Sequence, residues 1–228
     1  MRTQLGVVTG ASRGFGLEVA RELAANGWDV ITVSRGPSAA LDAISSVTSV
    51  RGDVTDMDLN GLLRAVGERP VDLLVNNAGV GGTGRHLHGL DRAELDGAFA
   101  VHVWGPARIS GALLPSLRRS ARPLVVNVSS RLASLNRQAA GEYQQLPTSY
   151  AYRVTKAAQN MLSICMATEL GPSVRVWAVH PGRLRTALAP ADADVEPADA
   201  ARRLVALVGE DTKTPLSYLS LDEGPLPW

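Results

Sequence analysis

Short apolar, β-branched runs alternate along the chain with longer segments whose apolar residues recur every three or four positions. Runs at 5–9, 29–34, 47–53, 71–76, 123–129, 174–180 and 216–221 predict strands. Segments 14–26, 56–66, 92–120, 149–170 and 197–208 predict helices, the third of them broken near Gly105-Pro106. Most strand runs are hydrophobic at nearly every position, as strands are when helices cover both faces of a sheet. Right-handed crossovers then wind those helices onto the two sides. The expected fold class is α/β: a doubly wound parallel sheet of about seven strands with helices on both faces, forming a single domain over 1–228. Three irregular stretches, 77–90, 131–148 and 183–195, begin at the carboxyl ends of strands, where open α/β sheets bind ligands. They are the expected walls of a pocket.

Composition narrows the class without naming a function. With 228 residues, 45% of them hydrophobic, the chain can bury one large core. Its 23 basic and 22 acidic residues leave a net charge of +1, which argues against a nucleic-acid or anionic-membrane partner. No apolar run reaches the roughly 20 residues of a membrane span, and the first strand starts too early for a signal peptide. A soluble, cytoplasmic chain is expected. The single cysteine, Cys165, forms no internal disulfide and is expected to pack in its helix. Trp104 and Trp177 are also expected to pack, and Trp228 to cover a pocket or a subunit interface. His86 and His88 have no acidic or cysteine partner at ligand spacing, so no metal is expected. The arginines at 118, 119 and 122 are read as capping the negative end of a helix. Lys156 and Lys213 are the only lysines, against twenty-one arginines.

The first strand runs into Thr9-Gly10-Ala11-Ser12-Arg13-Gly14-Phe15-Gly16 and then into an amphipathic helix. Glycines at 10, 14 and 16 permit a tight turn, close approach of backbone to a pyrophosphate, and close packing of helix on strand. The helix N-terminus adds unpaired N–H groups and a positive dipole end. This is a dinucleotide-binding pattern. An acidic residue commonly ends the second strand in NAD sites, where it would repel a 2′-phosphate. Here Ser34-Arg35 stands at that point, and Arg13 approaches from the glycine loop. Two guanidinium groups suit a phosphate, so NADP(H) is favoured over NAD(H); the alternative is two solvated arginines. Asp53 and Val54, ending the third strand, are placed to meet the adenine edge.

Thr9-Gly-x-x-x-Gly-x-Gly16, Asn76-Asn77-Ala78-Gly79, Tyr152-x-x-x-Lys156 and Pro181-Gly182-x-x-x-Thr186 together resemble the short-chain dehydrogenase/reductase family, whose domain is a Rossmann fold. Tyr150 to Ala158 and the ending Asp222-Glu223-Gly224-Pro225-Leu226-Pro227-Trp228 look most like the C-factor and sniffer-type carbonyl reductases within it. The resemblance implies that Ser12, Phe15, Asn77, Ala78, Gly79, Tyr152, Lys156, Pro181, Gly182 and Thr186 line the cofactor. It implies Ser130, the second of a serine pair closing the fifth strand, as the hydroxyl that stabilises a developing oxyanion, with Ser129 pointing to the other side. It also implies homodimers or homotetramers, although monomers occur among carbonyl reductases.

Direct chemistry leads to the same tyrosine and lysine. Hydride transfer to a carbonyl leaves an alkoxide that needs a proton, so the site wants an acid over the carbonyl oxygen. Tyr152 and Lys156 stack on one helical face, and a nearby ammonium is expected to lower the phenol's pKa from about 10. Tyr150 has only Val154 four residues on. The resemblance also exposes a departure. Many relatives complete a tetrad with an asparagine where this chain has His102, which could relay a proton or simply bond within the core.

The expected function is NADPH-dependent reduction of a ketone or aldehyde, with Tyr152 as proton donor, or the reverse oxidation of an alcohol. The alternative is an NADP(H)-binding signalling protein with weak or no catalysis. The small-molecule substrate depends on the three loops. Arginines 131, 137, 183 and 185 leave an acidic substrate open beside plain solvation.

Overall fold

Every residue of β1 (Leu5–Thr9) is buried, and its successive side chains enter two different cores. Leu5 and Val7 point to one, Val8 to the other. This two-sided burial is why the strand reads as a continuous apolar run rather than an alternation. The chain is described here by a computed structural model covering residues 2–186, 193–210 and 214–228. Lys213 and positions 187–192 of the third expected loop lie outside the described residues.

After β1 come α1 (Gly14–Ala25), β2 (Asp29–Ser34), α2 (Ala39–Asp42), β3 (Val47–Arg51), α3 (Leu59–Val66) and β4 (Leu73–Asn76). The second half holds α4 (Arg92–Phe99), α5 (Gly105–Arg118), β5 (Leu124–Val128), α6 (Leu135–Ala139) and α7 (Tyr150–Leu170). It closes with β6 (Arg175–His180), α8 (Pro197–Gly209), β7 (Leu216–Ser220) and β8 (Gly224–Pro225). The sheet order is β3-β2-β1-β4-β5-β6-β7-β8, with every pair parallel except the last. The order reverses direction between β1 and β4. The carboxyl ends of those two strands mark the switch point at which open α/β sheets bind ligands.

One core lies under α1 and α8, with Phe15, Val19, Leu23 and Leu204 against Val8, Val75, Val126 and Trp177. The other lies under α3, α5 and α7, with Leu62, Ile109, Leu113 and Met166 against Val7, Ile31, Leu74 and Val125. The doubly wound sheet is as expected, with eight strands in place of about seven. β8 was hidden because two residues including Pro225 carry no strand period.

Five other expectations are corrected. The 92–120 helix does not break at Gly105-Pro106; a π-helical turn at Ala100–Trp104 joins α4 to α5, with the Gly105 amide bonded to Ala100 O. Pro106 lacks the N–H that would bond the His102 carbonyl, and a wider turn absorbs the loss. The 131–148 stretch is partly ordered, since a 3-10 turn (Arg131–Ala133) and α6 lie within it. Cys165 is exposed, and Trp104 is 56% exposed, because both sit on the outward faces of their helices. The arginine cluster does not simply cap α5. Arg119 bonds Ser116 Oγ and reaches the Gly67 and Arg69 carbonyls, while Arg122 bonds Glu210 O.

Candidate active site

The switch point between β1 and β4 is built by glycines and one asparagine. Gly10 and Gly14 have φ of 66° and 60°, in the left-handed region that side chains avoid. A Cβ on Gly10 would stand 2.7 Å from Ala78 Cα, and one on Gly16 would stand 2.3 Å from Asn77 Nδ2. Asn77 Nδ2 donates to the Thr9 and Gly10 carbonyls at 2.9 and 3.1 Å. Thr9 Oγ1 accepts from the Asn77 and Ala78 amides at 3.0 and 3.1 Å, so β1 and β4 end knitted together. Asn76 steadies the sheet from inside by donating to Asn127 Oδ1 at 2.9 Å and Ser110 Oγ at 3.2 Å.

The N-terminus of α1 has no side-chain cap and no acidic residue in its first turn. Its leading amides are left to face the glycine loop, which fits a pyrophosphate. A Cβ on Gly14 would meet Thr186 Cγ2 at 3.5 Å, so the residue expected near the nicotinamide end borders this loop. Gly182 has φ of 96° and is packed so closely that a Cβ would meet Asp222 Oδ2 at 2.3 Å. Phe15 is buried in the core, so only its backbone can face a cofactor. Ser12 is half-buried and Arg13 exposed at the loop, and Pro181 is buried after β6.

Arg35 is exposed, with Nη1 3.8 Å from Asp53 Oδ2. Asp53 Oδ1 accepts from the Thr55 amide and hydroxyl at 3.0 and 2.9 Å, so this carboxylate shapes a turn and draws Arg35 toward it. Arg51, unnoticed in the sequence, donates to Arg35 O at 3.1 Å and adds a third guanidinium at this corner. Val54 is buried against Gly105, where a Cβ would come within 2.9 Å of Val54 Cγ2.

Ser149 starts α7 by accepting the Tyr152 amide at 3.1 Å, which fixes the phase of the helix. Tyr152 and Lys156 then face the end of β5. Lys156 is 3% exposed, and its Nζ donates to Val128 O at 2.6 Å and Gln159 Oε1 at 3.0 Å. Nζ stands 5.9 Å from the Tyr152 ring centre. Burial pushes the ammonium down to about 7. The expectation that it lowers the tyrosine pKa is corrected. Burial pushes the phenol above its ordinary value, and a hydrogen bond from Ser130 offsets this in part. The ammonium is directed at a carbonyl and an amide oxygen, and low-dielectric surroundings disfavour both charged forms.

Ser130 closes β5 in an extended conformation, and its Oγ accepts the Leu132 amide at 3.2 Å. Ser129 turns away, donating to Asn160 Oδ1 at 2.6 Å, as the strand alternation requires. His102 is fully buried in the π-helical turn. Its ring meets the Tyr152 ring edge-on at 5.7 Å. The Val80 amide donates to Nε2 at 3.1 Å, and Nδ1 lies 2.8 Å from Thr155 Oγ1, which itself donates to Ala151 O at 2.6 Å. Both ring nitrogens are engaged, and burial drives the imidazolium pKa down to about 2. Gln159, Thr155 and Asn160 escaped the sequence reading, although their spacing from Tyr152 and Lys156 places them along one helix. Tyr218 also escaped it.

Residues 4–197 match the model of the short chain dehydrogenases. The chain belongs to this family. Family members are oxidoreductases that use NAD(P). The C-signal protein of Myxococcus xanthus is 37% identical over 140 residues, 61% of this chain and 81% of its own. An L-xylulose reductase of Caenorhabditis elegans is 32% identical over 184 residues, 77% of this chain and 69% of its own. A crystal structure of a carbonyl reductase from Pseudomonas aeruginosa PAO1 superposes with a TM-score of 0.86 at 28% identity, covering 99% of this chain and 100% of that one. The NADPH-bound carbonyl reductase from chicken fatty liver shares the fold, with a TM-score of 0.87 at 22% identity and full coverage of both chains.

The 77–90 and 131–148 segments and the start of α7 form a cavity of about 710 Å³ lined by Arg85, His86, Leu135, Leu146, Tyr150 and Val154, among others. It opens on a face of α7 that does not carry Tyr152 or Lys156. The four arginines left open for an acidic substrate all have acidic partners. Arg137 bonds Glu223 at 2.7 Å and Arg131 approaches it at 4.0 Å, Arg185 bonds Glu196 at 2.8 Å, and Arg183 bonds Asp194. Among the described residues no helix is long and apolar enough to cross a membrane.

Proposed function

We propose that residues 1–228 form one NADP(H)-binding domain that reduces a ketone or aldehyde on a small molecule. The observation that carries this reading is the convergence of Ser130, Tyr152 and Lys156 at the end of β5 and the start of α7. Bound NADPH would supply the hydride, held by the Gly10–Gly16 loop and the α1 N-terminus, with Asn77, Ala78 and Gly79 beneath and Pro181, Gly182 and Thr186 beside it. The exposed guanidinium groups of Arg13 and Arg35 support the choice of NADPH, since a 2′-phosphate is dianionic and bidentate.

Each protein group then has a defined task. The Leu132 amide occupies an acceptor site on Ser130 Oγ, leaving the one hydroxyl proton to donate to the Tyr152 phenol before substrate arrives and to a substrate carbonyl oxygen once it is bound. Tyr152, kept protonated through neutral pH by burial, gives its proton to the oxygen as negative charge develops there. Lys156 holds its ammonium beside this pair and toward the nicotinamide ribose. His102 acts by orientation, because neither nitrogen is left to accept a proton from the site. The exposed Trp104 and Met161, on neighbouring helices, support self-association as a homodimer or homotetramer.

The test is NADPH oxidation over a panel of aldehydes and ketones. Tyr152→Phe should keep NADPH affinity and lose turnover by a factor on the order of 10²–10⁴. Equal biological output from a variant that has lost turnover would favour a binding or signalling role, and parental turnover would remove Tyr152 from the chemistry.

A further inference from the structure

Ser130 is held at three points, and one reaches it from 88 residues away. Its Oγ accepts the Leu132 amide, and its carbonyl accepts the Ala133 amide at 2.9 Å. The second lone pair of that carbonyl takes the Tyr218 hydroxyl at 2.6 Å. Tyr218 comes from β7, is 4% exposed, and packs with Ala133, Ala178 and Leu226. The Trp228 ring covers it at 5.2 Å, and the Leu226 amide bonds its carbonyl at 2.9 Å. One residue earlier, Ser129 Oγ donates to Asn160 Oδ1 of α7. The Ser129–Ser130 unit is therefore tied to both α7 and β7.

We propose that Tyr218 is a positioning residue for the serine: by donating to the Ser130 carbonyl it fixes the turn that aims Ser130 Oγ at the Tyr152 phenol. The inference rests on the reading of Ser130 and Tyr152 given above. Without the hydroxyl, the buried carbonyl keeps one partner of two, and the turn from Ser130 to Ala133 gains freedom. The Ser130 hydroxyl then spends less time on the phenol. The segment running from Gly224 to Trp228 thereby acquires a task, keeping water off the Tyr218–Ser130 bond.

Tyr218→Phe removes only the hydroxyl and leaves the ring against Trp228. Turnover is measured per bound NADPH, so partial unfolding cannot imitate a catalytic loss. The variant should lose about tenfold or more in kcat, with NADPH Kd within about twofold of the parent. The alkaline limb of its pH–rate profile should move to higher pH, because Ser130 no longer favours the phenolate. In a Ser130→Ala background the same change should cost less than about twofold, since the two residues act in series. An unshifted limb with parental kcat, or an undiminished effect in the Ser130→Ala background, would overturn the proposal. Full turnover in Ser130→Ala alone would instead overturn the role of Ser130, and the proposal with it.

Discussion

His102 Nδ1 lies 2.8 Å from Thr155 Oγ1, the residue directly before Lys156, while its Nε2 takes the Val80 amide at 3.1 Å. Val80 follows the Asn77-Ala78-Gly79 floor, so one imidazole pins the cofactor loop to the catalytic helix. The donors decide the tautomer. Val80 N–H makes Nε2 an acceptor, and Thr155, whose proton goes to Ala151 O, leaves Nδ1 to carry the hydrogen. This ring is neutral, and Lys156 close by reinforces that state. His102→Ala should destabilise the protein by about 1–3 kcal/mol, because the Val80 amide and Thr155 hydroxyl lose their partner. Cofactor affinity should weaken while the apparent pKa values of the pH–rate profile stay put. A lost or displaced limb in that profile would mean that the imidazole relays protons after all.

At the adenosine end, Arg13 and Arg35 are exposed and Arg35 is only loosely held by Asp53 at 3.8 Å. Replacing both with alanine should raise the Kd for NADPH by about tenfold or more, the size of one charge-assisted hydrogen bond at about 1.5–3 kcal/mol. NADH affinity should change by less than about twofold. The NADPH advantage in the parent should also shrink with salt, since exposed charges are screened beyond roughly 8–10 Å. Titration of both coenzymes at two ionic strengths measures this, and an unchanged NADPH/NADH ratio would refute the assignment of cofactor preference.

Buried Lys156 carries a cost for stability. Its pKa falls from 10.5 in the open chain to about 7 in the fold, so the folded protein binds fewer protons than the unfolded chain between those values. The penalty is full below pH 7, where the ammonium is charged in both states, and fades as pH rises toward 10.5. Lys156→Met should therefore be inactive, and the cofactor-free protein should be more stable than the parent at pH 6 by about 1–3 kcal/mol. That gain should diminish at pH 9. Urea unfolding at the two pH values checks it; a variant less stable at pH 6 would show that the bonds to Val128 and Gln159 outweigh desolvation.

Asp72 works in the opposite sense, at the far end of the sheet from the site. Burial alone would raise its pKa, but Arg2 at 2.5 Å, the Ser120 hydroxyl and the Leu5 amide together hold it below the usual carboxylate range. Its contribution to stability is present above the unfolded value of about 3.9 and is lost as pH falls through the folded value below that. Asp72→Asn should cost about 1–3 kcal/mol at pH 7 and much less near pH 3. Equal losses at both pH values in chemical denaturation would contradict this.

Residues that act through their neighbours in sequence were legible from the sequence. The alternation of apolar runs with helical periods gave the doubly wound sheet, because strands covered on both faces must be hydrophobic throughout. The glycine loop was legible because positive φ and close backbone approach exclude other residues, and the Tyr152–Lys156 pair because a helix stacks every fourth residue. What only the tertiary structure decided was the electrostatic sign and the support of that pair. Spacing predicted an ammonium lowering the phenol pKa. Folding instead buried Lys156 and half-buried Tyr152, and aimed Lys156 at the Val128 carbonyl and Gln159, so desolvation governs each. The π-helical turn that aims His102, the pairing of Arg131 and Arg137 with Glu223, and the bond from Tyr218 to Ser130 likewise join segments far apart in the chain. A local pattern carries no information about burial or about which distant group will face a buried carbonyl; packing sets both.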